Sequence, residues 1–343
     1  MNLNELAQLC GVSAATVSNV LNGKGKVSQS RREEISRLLR ENDYDPITPE
    51  ALSRKKSHRR IRLFCAELDI LRTDLFTNAL LEGVLSEALR SGYDVAVTPV
   101  EKDESGRYQA HFKPELDADG LIIVNPRENE DYLELIRRAA LPYVVVGRPN
   151  APRVQVNYVD VDNEALIYNA ASYLIGQEHR NILLLTGPED YTNSADHAEG
   201  FRKALRAHDI RLDESLVRAC DYSIQAAGEA MSKTLESNEP ITAVIACSDL
   251  LTLGALQAIE SAGLCVPKNV SLLCASETLL TITHPCITGY DINIPLMGRR
   301  AARMVIDIIE RRLIKPTHIH IPFVLNERDT VTPPAQRHRA FAL

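Results

Sequence analysis

The chain has 343 residues, 45% of them hydrophobic, and a formal charge of −7, which gives length for two or three domains with a sizeable core. Its longest apolar runs, such as LIIV at 121–124 and YVVV at 143–146, are strand-sized and argue against a helical membrane span. Seven scattered cysteines without a CxxC argue against a disulfide framework or a cysteine metal site, and the chain shows no basic-then-apolar leader, so a reduced, cytoplasmic protein is expected.

Charge is unevenly spread. Residues 1–60 hold 11 Lys and Arg against 7 Asp and Glu, a net +4, while the remainder holds 28 against 39, a net −11. A basic head on an acidic body implies that only the head meets a polyanion.

In the head, Leu3, Leu6, Ala7 and Cys10 form a helical stripe that ends at Gly11. Ser13 is a good N-cap for a second helix with Val17, Val20 and Leu21 inward, ended by Asn22-Gly23. Ser28 can cap a third helix carrying Ile35, Leu38 and Leu39. Two helices joined by a short Gly-containing turn, with a third to close the core, make a helix-turn-helix unit. The second helix has only short side chains on its leading turns: Ala14, Ala15, Thr16, Ser18 and Asn19. In this plan those turns enter the major groove and face base edges. Ala and Thr methyls can touch thymine methyls, and Asn19 can pair with adenine. Ala14, Ala15, Thr16 and Asn19 are therefore expected to read bases, with Ser13, Ser18, Asn22, Lys24, Lys26 and Ser28 on the DNA backbone. The alternative is a surface helical hairpin on which Lys24, Lys26, Arg31 and Arg32 form a solvated face. GKGK at 23–26 lacks the spacer, the following Ser/Thr and the preceding strand of a phosphate loop.

The stretch LNELAQLCGVSAATVSNVLNGKGKVSQSRREEI (3–35) resembles the DNA-binding head of the LacI/GalR family of bacterial transcriptional regulators. The resemblance implies that Ala14, Ala15 and Asn19 occupy the main base-reading positions. Asn19 stands where most members carry Arg; Arg favours guanine and Asn adenine, so a different target site is expected. The resemblance also implies a hinge helix over YDPITPEALSRKKSHRR (44–60) that pushes a leucine into the minor groove. Here Ser53 holds the usual leucine position and Glu50 replaces a small residue. Thr48-Pro49 reads as an N-cap followed by Pro at the first helical position, so a helix over about 49–56 is expected, with Leu52 as the wedge and Lys55 and Lys56 on phosphates. A basic linker making only phosphate contacts through Arg54, Lys55, Lys56, Arg59 and Arg60 is the alternative.

From Ile61 strand and helix patterns alternate. IRLFCAEL, YDVAVTPV, DGLIIV, YVVVG, NILLLTG, TAVIACS and VSLLCAS read as strands. LFTNALLEGVLSEALRSG, DYLELIRRAA, NEALIYNAASYLIG, ADHAEGFRKALRAH and DLLTLGALQAIESAG read as helices. This cadence predicts parallel sheets in two lobes with a ligand cleft between them, beyond the strand carboxyl ends.

QEHRNILLLTGP, AEGFRKAL, SDLLTLGALQAI, AGLCVPKNVSLL, PLMGRRAARMVID and PFVLNERDTV also resemble that family. The implied fold is a small all-α helix-turn-helix domain plus a two-lobe α/β effector domain with parallel sheets, similar to periplasmic sugar-binding proteins. The implied division is a head at 1–46, a basic hinge at 47–60 and an effector-binding and dimerisation domain at 61–343. Crossings near 158, 289 and 321 would make an N-lobe of 61–158 and 290–320 and a C-lobe of 159–289 and 321–343.

At the pocket the family pattern fails. His197 replaces a sugar-gripping Arg, Ser248-Asp249 an Asn-Asp pair, and Cys274-Ala275-Ser276-Glu277 a Gly-Phe-Asp-Asp run. Asp249 and Glu277 can still bracket a hydroxylated ligand, Arg148 sits at a strand end where members make a polar contact, and Phe76 stands where an aromatic often covers the ligand. The expected effector site is therefore Phe76, Arg148, His197, Ser248, Asp249 and Glu277. Alternatively, His197 is a surface helix residue, Asp249 an N-cap and Glu277 a solvated carboxylate.

No nucleophile elbow, phosphate loop, dinucleotide fingerprint or zinc helix appears, so no catalytic residue, cofactor or metal is expected. His318 and His320 share a face of an expected strand without a third ligand nearby. The reading is a homodimeric repressor on a pseudo-palindromic DNA operator, not an enzyme, controlled by a small effector, a neutral sugar. Control by a protein partner, or a sugar-binding module with a vestigial head, are the alternatives. The tail TPPAQRHRAFAL lacks leucine heptads, so the family's tetramer helix is not expected.

Overall fold

Strands that are apolar on both faces need helices on both sides, and from Arg60 onward the chain supplies them in turn. The computed structural model describes residues 59–334 except 66–73, 103–107, 111–117, 126–140, 150–155, 238–239, 279–281 and 314. Within the head it describes positions 7, 11–13, 16–17, 20, 27–28, 30–32, 34–35 and 37.

The first lobe begins with β1 (Arg60–Cys65), α1 (Leu75–Arg90), β2 (Asp94–Lys102), β3 (Tyr108–Ala110), β4 (Gly120–Val124), β5 (Tyr143–Val146) and β6 (Tyr158–Val161). The second holds α2 (Asn163–Gly176), β7 (Ile182–Thr186), α3 (Thr192–Ala207), β8 (Val217–Ala219), α4 (Ile224–Glu236), β9 (Ala243–Ala246), α5 (Asp249–Ser261), β10 (Ser271–Cys274) and β11 (Thr288–Asp291). The chain then returns to the first lobe with α6 (Ile294–Ile309) and β12 (His318–Ile321), and ends in the second with β13 (Val324–Asn326).

The N-lobe sheet runs β12-β6-β5-β4-β1-β2-β3 and the C-lobe sheet β13-β11-β10-β9-β7-β8. Among the described residues only β3, against β2, and β13, against β11, are antiparallel. In β4, β7, β9 and β10 every residue is buried, as covered parallel strands require. In each sheet the strand order reverses beside its first strand, β1 or β7, which puts the switch points next to the cleft.

Helix starts follow capping chemistry. Asp74, Asp162, Ser223, Ser248 and Asn293 each accept a backbone N–H of their own helix's first turn. α1 and α6 cross backbone to backbone: a Cβ on Gly83 would collide with the Pro295 carbonyl, and one on Gly298 with that of Leu80.

The lobe crossings fall at Asp162, at Ile292–Asn293 and at Pro322–Phe323, one to four residues later than expected. β6, β11 and β12 continue to Val161, Asp291 and Ile321, and buried Val159, Val161, Tyr290 and Ile321 keep these strands in their sheets. β1 likewise begins at Arg60, inside the stretch expected to be hinge. The helix expected over 131–140 lies outside the described residues. Among the described residues no helix is long and apolar enough to cross a membrane.

Candidate effector cleft and DNA-binding head

In the head, Ala7, Val17, Val20 and Ile35 are each buried with almost no exposure. Ser13 Oγ accepts the Thr16 N–H at 3.1 Å and lies 2.8 Å from Thr16 Oγ1. The Ser13 carbonyl accepts the Val17 N–H, so the second helix starts where its sequence requires. The Ser28 carbonyl accepts the Arg32 N–H at 3.0 Å, which opens the third. Thr16 is half-buried and Ser13 exposed. Ala14, Ala15, Ser18, Asn19, Asn22, Lys24, Lys26, Leu52, Lys55 and Lys56 lie outside the described residues.

The cleft lies where the carboxyl ends of the two sheets approach each other. From the N-lobe come Asp74, Phe76 and Arg148. Asp74 caps α1 through the N–H groups of Phe76 and Thr77 and also bonds the Thr77 hydroxyl. Burial raises its carboxyl above the ordinary range. Phe76, in that first turn, is half-buried against the core. Arg148 leaves the end of β5 after Gly147, whose φ of 97° is costly for a side chain; an added Cβ would also meet Asn125 Oδ1 at 2.8 Å.

Arg148 reaches into the other lobe. Its Nε donates to Asp196 Oδ2 at 3.0 Å and its Nη2 to Asp196 Oδ1 at 2.6 Å. Its carbonyl accepts the Thr192 hydroxyl at 2.6 Å. The first turns of α3 are thereby tied to the end of β5.

Beside this bridge runs a buried polar chain. Asp160 on β6 accepts the Val161 N–H at 2.8 Å and the Asn163 Nδ2–H at 3.1 Å. Asn163 Oδ1 is then free to accept from His197 Nε2 at 3.3 Å, which leaves Nδ1 to accept the Thr186 hydroxyl at 3.3 Å. One donating and one accepting nitrogen is the pattern of a neutral imidazole. Burial alone lowers His197 to about 4, in agreement. Burial also raises Asp160 to about 7.

These contacts correct the expected site. His197 is buried and both ring nitrogens are taken, so it is neither a ligand grip nor a surface residue. Glu277 is neither solvated nor open to a ligand. It is buried in a bidentate pair with Arg328, one bond of which, from Nη2, is 2.8 Å, and it accepts Asn326 Nδ2–H at 2.7 Å. Asp249 is not the cap of α5: Ser248 Oγ caps it, accepting Leu251 N–H at 3.3 Å. Asp249 is buried in the first turn, and its Oδ1 accepts the Thr278 N–H at 3.1 Å, tying α5 to the loop after β10.

Several cleft groups were not singled out by sequence. Tyr191 and Tyr222 form an edge-to-face pair 5.9 Å apart at the ends of β7 and β8, and Tyr222 accepts Asn193 Nδ2–H at 3.3 Å. Asn193 Oδ1 and Thr278 Oγ1, both on the carboxyl-end side of the C-lobe sheet, are buried without a hydrogen-bond partner. Such groups are costly unless something polar meets them. Their only sequence signal is position: each follows a buried strand by a few residues.

Away from the cleft, His318 stacks on Tyr158 at 4.2 Å and His320 lies tilted at 6.1 Å from the same ring. Among the described residues no three His, Cys, Asp or Glu side chains are grouped to hold a metal. The six described cysteines are free thiols, and burial raises those of Cys65, Cys220, Cys247 and Cys274, while Cys265 is exposed.

Residues 2–46 match the family described as bacterial regulatory proteins, lacI family, and residues 171–331 match the periplasmic binding protein-like domain. The chain thus carries a DNA-binding head of the LacI-family type on a periplasmic-binding-protein-like body. The transcriptional regulator CelR of Thermobifida fusca is 29% identical over 341 residues, 96% of this chain and 97% of that one. The transcriptional repressor CytR of Escherichia coli is 26% identical, covering 89% of each chain. A solved CelR–cellobiose complex superposes with a TM-score of 0.75 at 27% identity, over 96% of this chain and 100% of that one. The chain is thus a DNA-binding transcriptional regulator: a helix-turn-helix head on a two-lobe body.

Proposed function

We propose that this regulator is a cytoplasmic, homodimeric repressor whose grip on DNA is set by a neutral sugar held between its lobes. The observation that carries the sugar is the pair of buried, unpartnered polar atoms Asn193 Oδ1 and Thr278 Oγ1 on the C-lobe strand-end side, the first on the residue that bonds Tyr222 of the Tyr191–Tyr222 ring pair. Sugar hydroxyls satisfy such atoms, and ring faces cover the apolar side of a pyranose. Ser248 and Asp249 stand at the same strand ends, and Phe76 and Arg148, at those of the N-lobe, complete the candidate site. The bound cellobiose of the related CelR complex supports the class, and the name repressor borne by CytR supports the sign. Two heads read a pseudo-palindromic operator, and a sugar that prefers one lobe angle shifts the spacing of the heads.

The full chain is to be melted with cellobiose and a panel of neutral sugars. A binding sugar stabilises by RT ln(1 + [L]/Kd), about 2.7 kcal/mol at a hundredfold excess over Kd. The same sugar should change retention of an operator selected from random duplex. A panel in which no neutral sugar moves either reading removes the proposal.

Base reading is tested separately. Asn19→Arg should move the selected half-site from adenine toward guanine, with about 1–3 kcal/mol at stake per bidentate contact. An unchanged consensus takes Asn19 out of base recognition.

A further inference from the structure

We infer that Asp196 sets the charge of the effector by occupying the anion-binding edge of Arg148. The inference rests on the cleft reading above and refines it. Nε and Nη2 form the guanidinium edge that grips planar oxyanions in two parallel hydrogen bonds. Here that edge already holds a carboxylate, at 3.0 and 2.6 Å, from the opposite lobe. The Thr192 hydroxyl on the Arg148 carbonyl fixes the loop that presents it.

A phosphate or carboxylate on an effector competes for the same edge. To win, it must expel Asp196, whose side chain is only 22% exposed, and then lie beside it. An anionic ligand therefore meets repulsion in a partly dehydrated place, where screening is weak. A neutral polyol meets no such penalty. The paired carboxylate keeps lone pairs for hydroxyl donors, and the guanidinium keeps N–H groups for hydroxyl acceptors. The ion pair thus offers a neutral surface with both donors and acceptors.

Asp196→Asn removes the blocking charge with little change of shape. Cellobiose, glucose 6-phosphate and inorganic phosphate are titrated calorimetrically into the full-length wild type, Asp196→Asn, and the double variant Arg148→Gln/Asp196→Asn. Asp196→Ala serves as a second blocking-charge variant if Asp196→Asn fails to fold. Wild type should prefer the neutral sugar. The single variant should bind glucose 6-phosphate and inorganic phosphate at least about tenfold more tightly than wild type, weakening with salt, and the double variant should lose that gain. Wild type binding the phosphorylated sugar as tightly as the neutral one overturns the inference. So does a single variant without the gain, or a gain that survives in the double variant. If wild type ignores cellobiose and other neutral sugars, yet the single variant acquires phosphate through Arg148, the neutral-sugar reading falls and the charge gate stands.

Discussion

Glu277 and Asp196 are both C-lobe carboxylates gripped at two points by an arginine, and they do opposite things. Glu277 and Arg328 belong to the same lobe and expose 6% and 18% of their side chains. Arg328 also donates to the Ile287 carbonyl at 2.5 Å, so the pair straps the loop after β10 to the chain beyond β13. Asp196 and Arg148 belong to different lobes and expose 22% and 45%. A pair inside one lobe is kept whatever the lobes do; a pair between lobes is made or broken by their motion. The same contact is scaffold in one place and a conformational reporter in the other.

The sharpest way to break this comparison is to remove the scaffold partner. Glu277→Ala leaves Arg328 charged and largely dehydrated and should destabilise the chain by about 3–5 kcal/mol, read as a lower urea midpoint. A loss below 1 kcal/mol would put Glu277 in the same class as the exposed bridge.

The buried chain beside the bridge gives the next effect, through pH. Asp160 is raised from 3.8 to about 7. A carboxyl raised on folding contributes stability that is complete below its unfolded value and lost as pH rises through about 7. His197 is lowered from 6.5 to about 4, so its contribution is complete above 6.5 and lost as pH falls through about 4. Asp160→Asn should therefore gain on wild type as pH rises from 4 to 7, by up to about 2–4 kcal/mol. His197→Gln should gain on wild type in the opposite direction, as pH falls from 6.5 to 4. Urea midpoints across that range check both slopes; parallel curves would mean that neither group is held as described.

The smallest effect belongs to the bridge. Arg148→Ala should cost the unliganded chain no more than about 1 kcal/mol, since half-exposed ion pairs contribute little. It should nevertheless alter the sugar response of DNA binding. A large fall in the urea midpoint would make the bridge scaffold after all.

The architecture was legible where local chemistry suffices. NEALIYNAASYLIG reads as a helix from its pattern alone, and it spans α2 from end to end, with Asp162 as its cap in the structure. α4 was missed because IQAAGEAMSKTLE buries only Ala227, Met231 and Thr234, too thin a stripe to stand out. The site was less legible because its chemistry depends on distant partners. His197 shows its residue type in the sequence but not Asn163, 34 positions away, which takes one of its nitrogens. Arg328 lies 51 positions beyond Glu277 and Asp196 lies 48 beyond Arg148. A pattern along the chain places such residues near a cleft but does not say which of them is already engaged.

The crossing of α1 with α6 bears on how the chain is born. α1 finds its glycine-lined groove only when residues 294–309 arrive, and β6 finds its edge partner only at His318–Ile321. The N-lobe is the first body segment to leave the ribosome, yet its sheet and helix layer wait for about 160 further residues. At about 5–20 residues per second that interval is on the order of ten seconds or more. The C-lobe from α2 to β11 is one continuous stretch whose parallel strands meet as they are made, and β13 with the chain beyond it is added last, at one edge. Synthesis order and folding order should therefore be reversed, with the lobe made second acting as the platform on which the lobe made first is completed.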